Sequence, residues 1–370
     1  MAAATMLVPT ALIAGPASAA PPTPHAGQAI VAAGVQDSCA SVRARASILA
    51  ASGTQRAMCL RPVPADQVPP STRAAAAKAV PDSCLGAMPE LTWVIDRFSG
   101  CRQEFGAVDI LVVPQGTWIG TIDIVTITSV RADARALTWT HDIQIVKLGG
   151  RGDINGVIPE GVASCPVECT VTAQNFPYRL MDSSPAGTST MTSAVVPGTS
   201  GQVVAEQAQW TVIFTQMGSL PSPPVTFTSE PVRCDTNTPN ATAGCVLSRH
   251  TPTLHYTTAV HDELAAHIST AQAGGLPGAP GGTPLTRLVD PVQQQKNRDT
   301  ACPSSIPRPE GEECDEYPFA STNQGAFTSG GAYSSMMIDK DDNQRGGTDL
   351  AGFYLDNRIM SNDPFYVQID

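Results

Sequence analysis

Two stretches near the C-terminus hold residue types that can do chemistry together. The first is Glu313-Cys314-Asp315-Glu316-Tyr317-Pro318-Phe319-Ala320-Ser321-Thr322, and the second, shortly after it, is Asp341-Asp342-Asn343-Gln344-Arg345-Gly346-Gly347. Asp315 and Glu316 are adjacent carboxylates. Pro318, tolerated at the start of a helix where its fixed φ is an advantage, predicts that the pair sits on a first helical turn. The second stretch reads as a polar loop ending in glycine. Two carboxylates, the Asn343 amide and the Arg345 guanidinium are the groups needed to hold a hard divalent cation against a phosphate.

This pair of stretches resembles the signature of the NucA/NucB family of secreted bacterial deoxyribonucleases, which runs Asp-Arg-Asp-Glu-Trp-Pro, a Glu-Gly-Gly turn, then Ser-Asp-Asn-Arg-Gly-Ala-Gly. Ala265-Ala266-His267-Ile268, Leu285-Thr286-Arg287 and Lys296-Asn297-Arg298 fall in the order that such a domain shows. The resemblance covers roughly the last third of the chain and nothing before about residue 250. Three departures stand out. Cys314 replaces the family arginine, Gln324-Gly325-Ala326 replaces Glu-Gly-Gly, and Arg345 is displaced by one position.

The resemblance implies a small variant of the ββα-metal arrangement, hydrolysing DNA phosphodiester bonds with little sequence specificity and with a divalent cation, Mg2+ or Mn2+, as cofactor. Nucleases of that arrangement usually use a histidine base and an asparagine metal ligand. No histidine follows His267 here, so a carboxylate substitutes. The motif places Glu316 as general base, with its pKa raised by burial and by Asp315. Asp315 and Asn343 hold the cation, and Arg345 contacts the phosphate or DNA. Alone, Asp315 and Glu316 would read equally well as acids favoured at a helix N-terminus. The second motif at the right distance reverses that balance.

Charge opposes this reading. The chain carries a formal charge of −11, and from residue 251 onward 7 Lys and Arg face 16 Asp and Glu, a net −9. A nucleic-acid binder normally presents a basic face, so a cation has to offset much of the acidity. A competing reading follows from the same numbers: a secreted, disulfide-stapled β-sandwich binding protein whose C-terminal domain is a degenerate, inactive nuclease.

The ten cysteines come in close pairs: Cys39 with Cys59, Cys84 with Cys101, Cys165 with Cys169, Cys234 with Cys245, and Cys302 with Cys314. An even number in local pairs predicts five disulfides and an oxidising compartment. Cys165 and Cys169 have neither a second pair nor a neighbouring histidine, which disfavours a zinc site. Residues Met1–Ala20 form an apolar run ending in Ala17-Ser18-Ala19, the small-x-small form of a signal-peptidase site, and predict secretion. No other apolar run is long enough to span a bilayer. DNA is the one partner implied.

The elements that must position the site follow from texture. Residues 21–88 are rich in Ala and Pro and read as a linker or pro-region. Residues 89–250 hold short runs of Val, Ile, Thr and Trp, among them Val108–Val113, Thr117–Val130, Ala136–Leu148, Val203–Met217 and Val225–Val232, which predict an antiparallel β-sandwich. Trp93, Trp118, Trp139 and Trp210 belong to its core, and His141, His250 and His255 read as structural. Arg151-Gly152-Asp153 reads as a charged turn rather than an adhesive motif, and Asn240-Ala241-Thr242 is a glycosylation sequon. Residues 251–370 then form the nuclease-like α+β domain, with a helix over Ala259–Ile268, a strand over Ala332–Ile338, a short helix over Thr348–Asn357 and a closing strand over Asp363–Ile369. The fold class is mainly β with α+β. His261 and His267 are six apart and on different helix faces, which excludes a zinc-protease helix.

Overall fold

In the computed structural model, residues 37–370 are described apart from 54, 72, 75–83, 85–91, 114 and 238–241. The expected signal segment and Asn240 of the sequon lie outside the described residues.

Runs of β-branched and aromatic side chains build two antiparallel sheets. Helices α1 (Ser38–Ala44) and α2 (Ala46–Ala51) lead into β1 (Arg56–Pro62), followed by β2 (Val94–Ile95), β3 (Ser99–Val112), β4 (Thr117–Arg131), β5 (Thr138–Gly152), β6 (Ile158–Val167), β7 (Cys169–Asn175) and β8 (Ala186–Ser193). Then come β9 (Val203–Thr215), β10 (Val225–Thr228), β11 (Val232–Asp235) and β12 (Gly244–Val246). One sheet has the order β1-β3-β4-β5-β8-β7, with β2 on β3, and the other β10-β9-β11-β12, with β6 on β9. Ile110, Ile122, Trp139 and Ile143 of the first sheet and Trp210, Phe214 and Phe227 of the second fill the space between them. The opposite face of the first sheet is also covered, by a cluster joining Val68 and Cys84 to Phe105, Val125 and Val146. Burial on both faces keeps β3 and β4 buried along most of their length and takes in polar residues, among them Arg102, Glu104, Asp109 and Thr126.

Two expectations change here. Part of the Ala/Pro-rich stretch is structured: α1 is capped by Asp37, Cys39 is bonded to Cys59, and β1 is an edge strand whose Met58 and Leu60 are fully buried. Composition averaged over the stretch hides this short apolar strand. Trp118 is 50 % exposed rather than in the core, because it lies at the tip of a hairpin, where the Arg43 and Arg61 guanidiniums stack on it. Trp139 and Trp210 are buried as expected, and Trp210 donates from its ring nitrogen to the His141 carbonyl. Arg151-Gly152-Asp153 does end a strand in a turn, with Gly152 at φ +75° and Asp153 paired to Arg56 at 2.8 Å.

The C-terminal residues have a core of their own, from Leu254 to Val367. Strand β13 (Thr253–Tyr256) pairs parallel with β17 (Pro364–Ile369), which also pairs with β14 (Leu285–Thr286). Helices α3 (Asp262–Ala273) and α4 (Pro291–Ala301) precede an antiparallel hairpin of β15 (Glu312–Tyr317) and β16 (Ser334–Asp339), which runs straight into helix α5 (Lys340–Asp356). This is the strand-strand-helix order of a ββα unit. The described residues belong to one compact unit.

The motif stretches swap their expected secondary structure. Asp315 and Glu316 lie on β15, paired with Met336 and Ser335, and not on a helix. Pro318 follows the strand instead of starting a helix, since it has no N–H to give to a ladder. Asp341–Gly347 is the first part of α5 and not a loop. Asp339 caps that helix by accepting from the Asp341 and Asp342 amides, each at 3.0 Å. The glycines that signal a loop serve packing instead: a Cβ at Gly346 would lie 2.1 Å from Leu264 Cδ2. Glycine costs helix about 1 kcal/mol against alanine, and here it permits α3 and α5 to touch.

All five expected disulfides are formed, with Cα separations from 4.0 to 5.8 Å, and no cysteine is free. Such pairing suits an oxidising compartment. Among the described residues no helix is long and apolar enough to cross a membrane.

Candidate active site

Side chains alternate in direction along β15, so its adjacent acids Asp315 and Glu316 face different elements. Glu313 and Asp315 point toward α5 and α3, whereas Glu316 is turned toward α4. All these elements wall one cavity of about 530 Å³, lined among others by Arg287, Arg298, Asp315, Glu316, Asn343 and Tyr354.

Asp315 is 6 % exposed and accepts from His267 Nδ1 at 2.6 Å. His267 is 3 % exposed, and its Nε2 lies 2.9 Å from the Ser334 hydroxyl on the neighbouring strand. The set is satisfied when Nδ1–H donates to the carboxylate and Nε2 accepts from the serine. Each group then fixes the next, and the carboxylate is oriented before any ligand arrives. Helix α3 is itself aimed by α5: Asp342 Oδ2 accepts from the Glu263 and Leu264 amides at 3.1 and 2.9 Å, and Glu263 Oε2 accepts from the Asp339 amide at 2.7 Å. The two helix N-termini cap one another with acids, as the helix dipole favours.

Glu316 is pushed up to about 7, first by burial and then by the charge of Asp315, while the Arg298 guanidinium and the Ala320 amide pull the other way. A carboxyl group titrating there is a competent base at neutral pH. Cys302, at the end of α4, has its sulfur 3.7 Å from Glu316 Oε2, and its bond to Cys314 ties α4 to β15 on either side of the acid.

Asn343 donates from Nδ2 to Glu313 Oε2 at 3.3 Å, and the neighbouring Gln344 donates to Glu313 Oε1 at 2.9 Å. With the amide nitrogen so engaged, the amide oxygen is the atom left for a cation. Arg345 is not brought to the cavity. Its Nη1 donates to the Val260 carbonyl at 2.6 Å and lies 3.9 Å from Asp342. One residue of helix rotates a side chain by about 100°, so the one-position displacement seen in the sequence turns this arginine toward the α3 entry. Two other arginines line the cavity in its stead: Arg298 from α4, and Arg287, whose guanidinium lies 4.4 Å from the Tyr354 ring centroid.

Of the residues singled out from sequence, Asp315, Glu316 and Asn343 meet in one cavity, whereas Arg345 stands apart. His267, Ser334, Glu313, Arg287 and Arg298 also belong to this site, and the sequence alone points to none of them. His267, Arg287 and Arg298 lie in segments that marked the resemblance, but nothing in their spacing reveals which face each side chain takes. Gln324, in place of the family glutamate, accepts from the Thr286 amide at 2.9 Å and does not line the cavity.

Residues 285–368 match the family model described as Deoxyribonuclease NucA/NucB. The match contains Arg287, Arg298, Asp315, Glu316 and Asn343, and it begins after His267. No curated protein and no solved structure matches the chain.

Proposed function

We propose that the protein is an exported, metal-dependent endonuclease that hydrolyses DNA phosphodiester bonds with little sequence preference. The observation that carries this reading is the placement of Glu316, poised to titrate near neutral pH, in one cavity with Arg298, Arg287 and Asn343 on a hairpin-helix unit that the nuclease family model matches. In this reading Glu316 takes a proton from water as the water oxygen bonds to phosphorus. The P–O ester bond breaks, and the leaving oxygen takes a proton from solvent. Arg298 and Arg287 hold the non-bridging phosphate oxygens, the role first expected of Arg345. These charges address phosphate and not base edges, which supports low sequence preference.

The donor set fits a hard cation. Among the described residues no three His, Cys, Asp or Glu side chains converge into a closed cage, and Mg2+ needs none, since it keeps several waters and takes one or two carboxylates plus phosphate oxygens. Asp315 and the Asn343 amide oxygen are the ligands proposed, and the bound ion would supply charge for the phosphoryl oxygens. Export rests on the five disulfides and on the apolar N-terminal run.

The net charge of −9 from residue 251 onward favours the competing reading of an inactive, binding-only domain. Supercoiled plasmid incubated with the full chain separates them. Relaxation with Mg2+ or Mn2+ that stops on adding chelator supports the nuclease. Intact plasmid under every cation supports the binding protein.

A further inference from the structure

The loop between α5 and β17, residues 357–363, is held from the β-rich part by charge. Arg358 is completely buried, with φ at +48°, a conformation that a bulky residue adopts only when its surroundings impose it. Its guanidinium donates to Asp235 Oδ1 at 2.5 Å and Oδ2 at 3.1 Å, and to the Asp235, Ala134 and Thr242 carbonyls at 2.8, 2.7 and 2.6 Å. Arginines reach back in the other direction. Arg233 donates to the Arg358 carbonyl at 2.6 Å and grips both oxygens of Asp363 at 2.9 and 2.8 Å. Arg97 donates to the Asn357 and Arg358 carbonyls at 2.7 and 3.2 Å.

The same loop holds the cavity arginine. The Ile359 carbonyl accepts from Arg287 Nη1, the Asp363 carbonyl accepts from the Arg287 amide at 3.1 Å, and the Asn362 amide donates to the Arg287 carbonyl at 2.8 Å. Arg287 is therefore fixed at backbone and guanidinium by a segment whose own conformation is set by Asp235, Arg233 and Arg97. Those three residues lie outside the stretch that the nuclease family matches.

We propose that the β-rich part is a positioning device for the active site: Asp235, Arg233 and Arg97 clamp the 357–363 loop, and the loop presents the Arg287 guanidinium to a phosphate oxygen. Asp235, Arg233, Arg97 and Arg358 are positioning residues in this scheme. It rests on the phosphodiester reading above and gives the β-rich part a role in it. Burying this many charges yields little net stability compared with apolar packing, but it fixes geometry, because an arginine fork meets carbonyls and carboxylates in few ways.

The test is a double-mutant cycle in the full chain between Arg233→Lys, which keeps the charge and loses the fork, and Arg287→Ala, with Arg97→Lys as a second clamp variant. Arg135→Ala, which breaks an exposed pair with Asp356, controls for the interface itself. Inorganic phosphate binding, measured calorimetrically, and KM and kcat on DNA are the readouts, with thermal unfolding alongside. Arg233→Lys is expected to weaken phosphate binding and raise KM by about three- to tenfold with less effect on kcat, and to do nothing further once Arg287 is alanine. Arg135→Ala should leave both constants unchanged. Equal losses in both backgrounds, or unchanged phosphate binding in both clamp variants, would overturn the proposal. A protein that cuts no DNA but binds phosphate with a non-additive cycle retains the clamp and loses the nuclease. One that cuts DNA with an additive cycle does the reverse, and one that neither binds phosphate nor cuts loses both.

Discussion

His267 Nδ1 lies 2.6 Å from Asp315 Oδ2, and both side chains are almost fully buried. A histidine of α3, outside the stretch that the family model matches, thus sets the direction of an acid inside it.

His267→Ala removes the partner of a buried carboxylate. It should cost about 1–3 kcal/mol of stability and lower DNA cleavage by about 10–100-fold, the range seen when a residue supporting a metal ligand is lost. Ser334→Ala should act in the same direction by a smaller amount, about 1 kcal/mol or less, because histidine still binds the acid. Chemical unfolding and initial cleavage rates on the same samples measure both. Full activity in His267→Ala would show that Asp315 needs no positioning.

Asn343→Ala should raise the cation concentration needed for half-maximal cleavage, with much of the rate recovered at high Mg2+ or Mn2+. Glu313→Ala should shift the same midpoint by less, since it only releases the Asn343 amide. Titrating each variant with cation decides the point: midpoints equal to wild type would remove Asn343 from the ligand set.

Reducing or replacing the Cys302–Cys314 bond with two serines should lower both stability, by roughly 2–4 kcal/mol, and cleavage rate, since α4 and its Arg298 lose their tie to β15. Cleavage rates with and without reductant, at a temperature where circular dichroism shows the fold intact, test this. An unchanged rate would separate the disulfide from the site.

The fold was legible where a residue type has one dominant use. Ten cysteines in local pairs gave five bonds, and runs such as Thr117–Val130 became strands within a residue or two. The motif stretches are not legible in this way because their local signals point two ways. Pro318 both starts helices and ends strands, and hairpin pairing of Glu313 with Ile338 decides between them. Gly346 marks loops, yet here it is the point where Leu264 of another helix must fit. His267, Arg287 and Arg298 join the site through tertiary packing alone, which periodicity does not encode. The α5 register, once known, also explains why Arg345 points away from the cavity.

His141 is fully buried with neither ring nitrogen bonded, and burial pushes its pKa down to about 3. The unfolded chain therefore binds this proton more readily, so stability is present above about pH 6.5 and is lost as pH falls from there toward 3. His141→Leu keeps the backbone carbonyl that Trp210 and Ser189 use and should flatten that part of the curve. Denaturant unfolding at a series of pH values is the check, and an unchanged acid slope in the variant would assign the loss to other groups.

Glu316 is proposed as the base of a phosphodiester hydrolysis, and Glu316→Gln examined for cleavage and stability together tests that role. A carboxyl group raised from 4.5 to about 7 binds its proton better folded than unfolded, so its ionisation destabilises the fold as pH rises through that window. Glutamine removes this penalty and should stabilise the protein by roughly 1–3 kcal/mol above pH 7. Wild-type cleavage of plasmid with Mg2+ or Mn2+ should rise as pH passes through about 7. The variant should lose ~10²–10⁴ in rate at every pH while binding cation as before. A Glu316→Gln protein that cleaves DNA at the wild-type rate with the same pH profile would show that Glu316 is not the base.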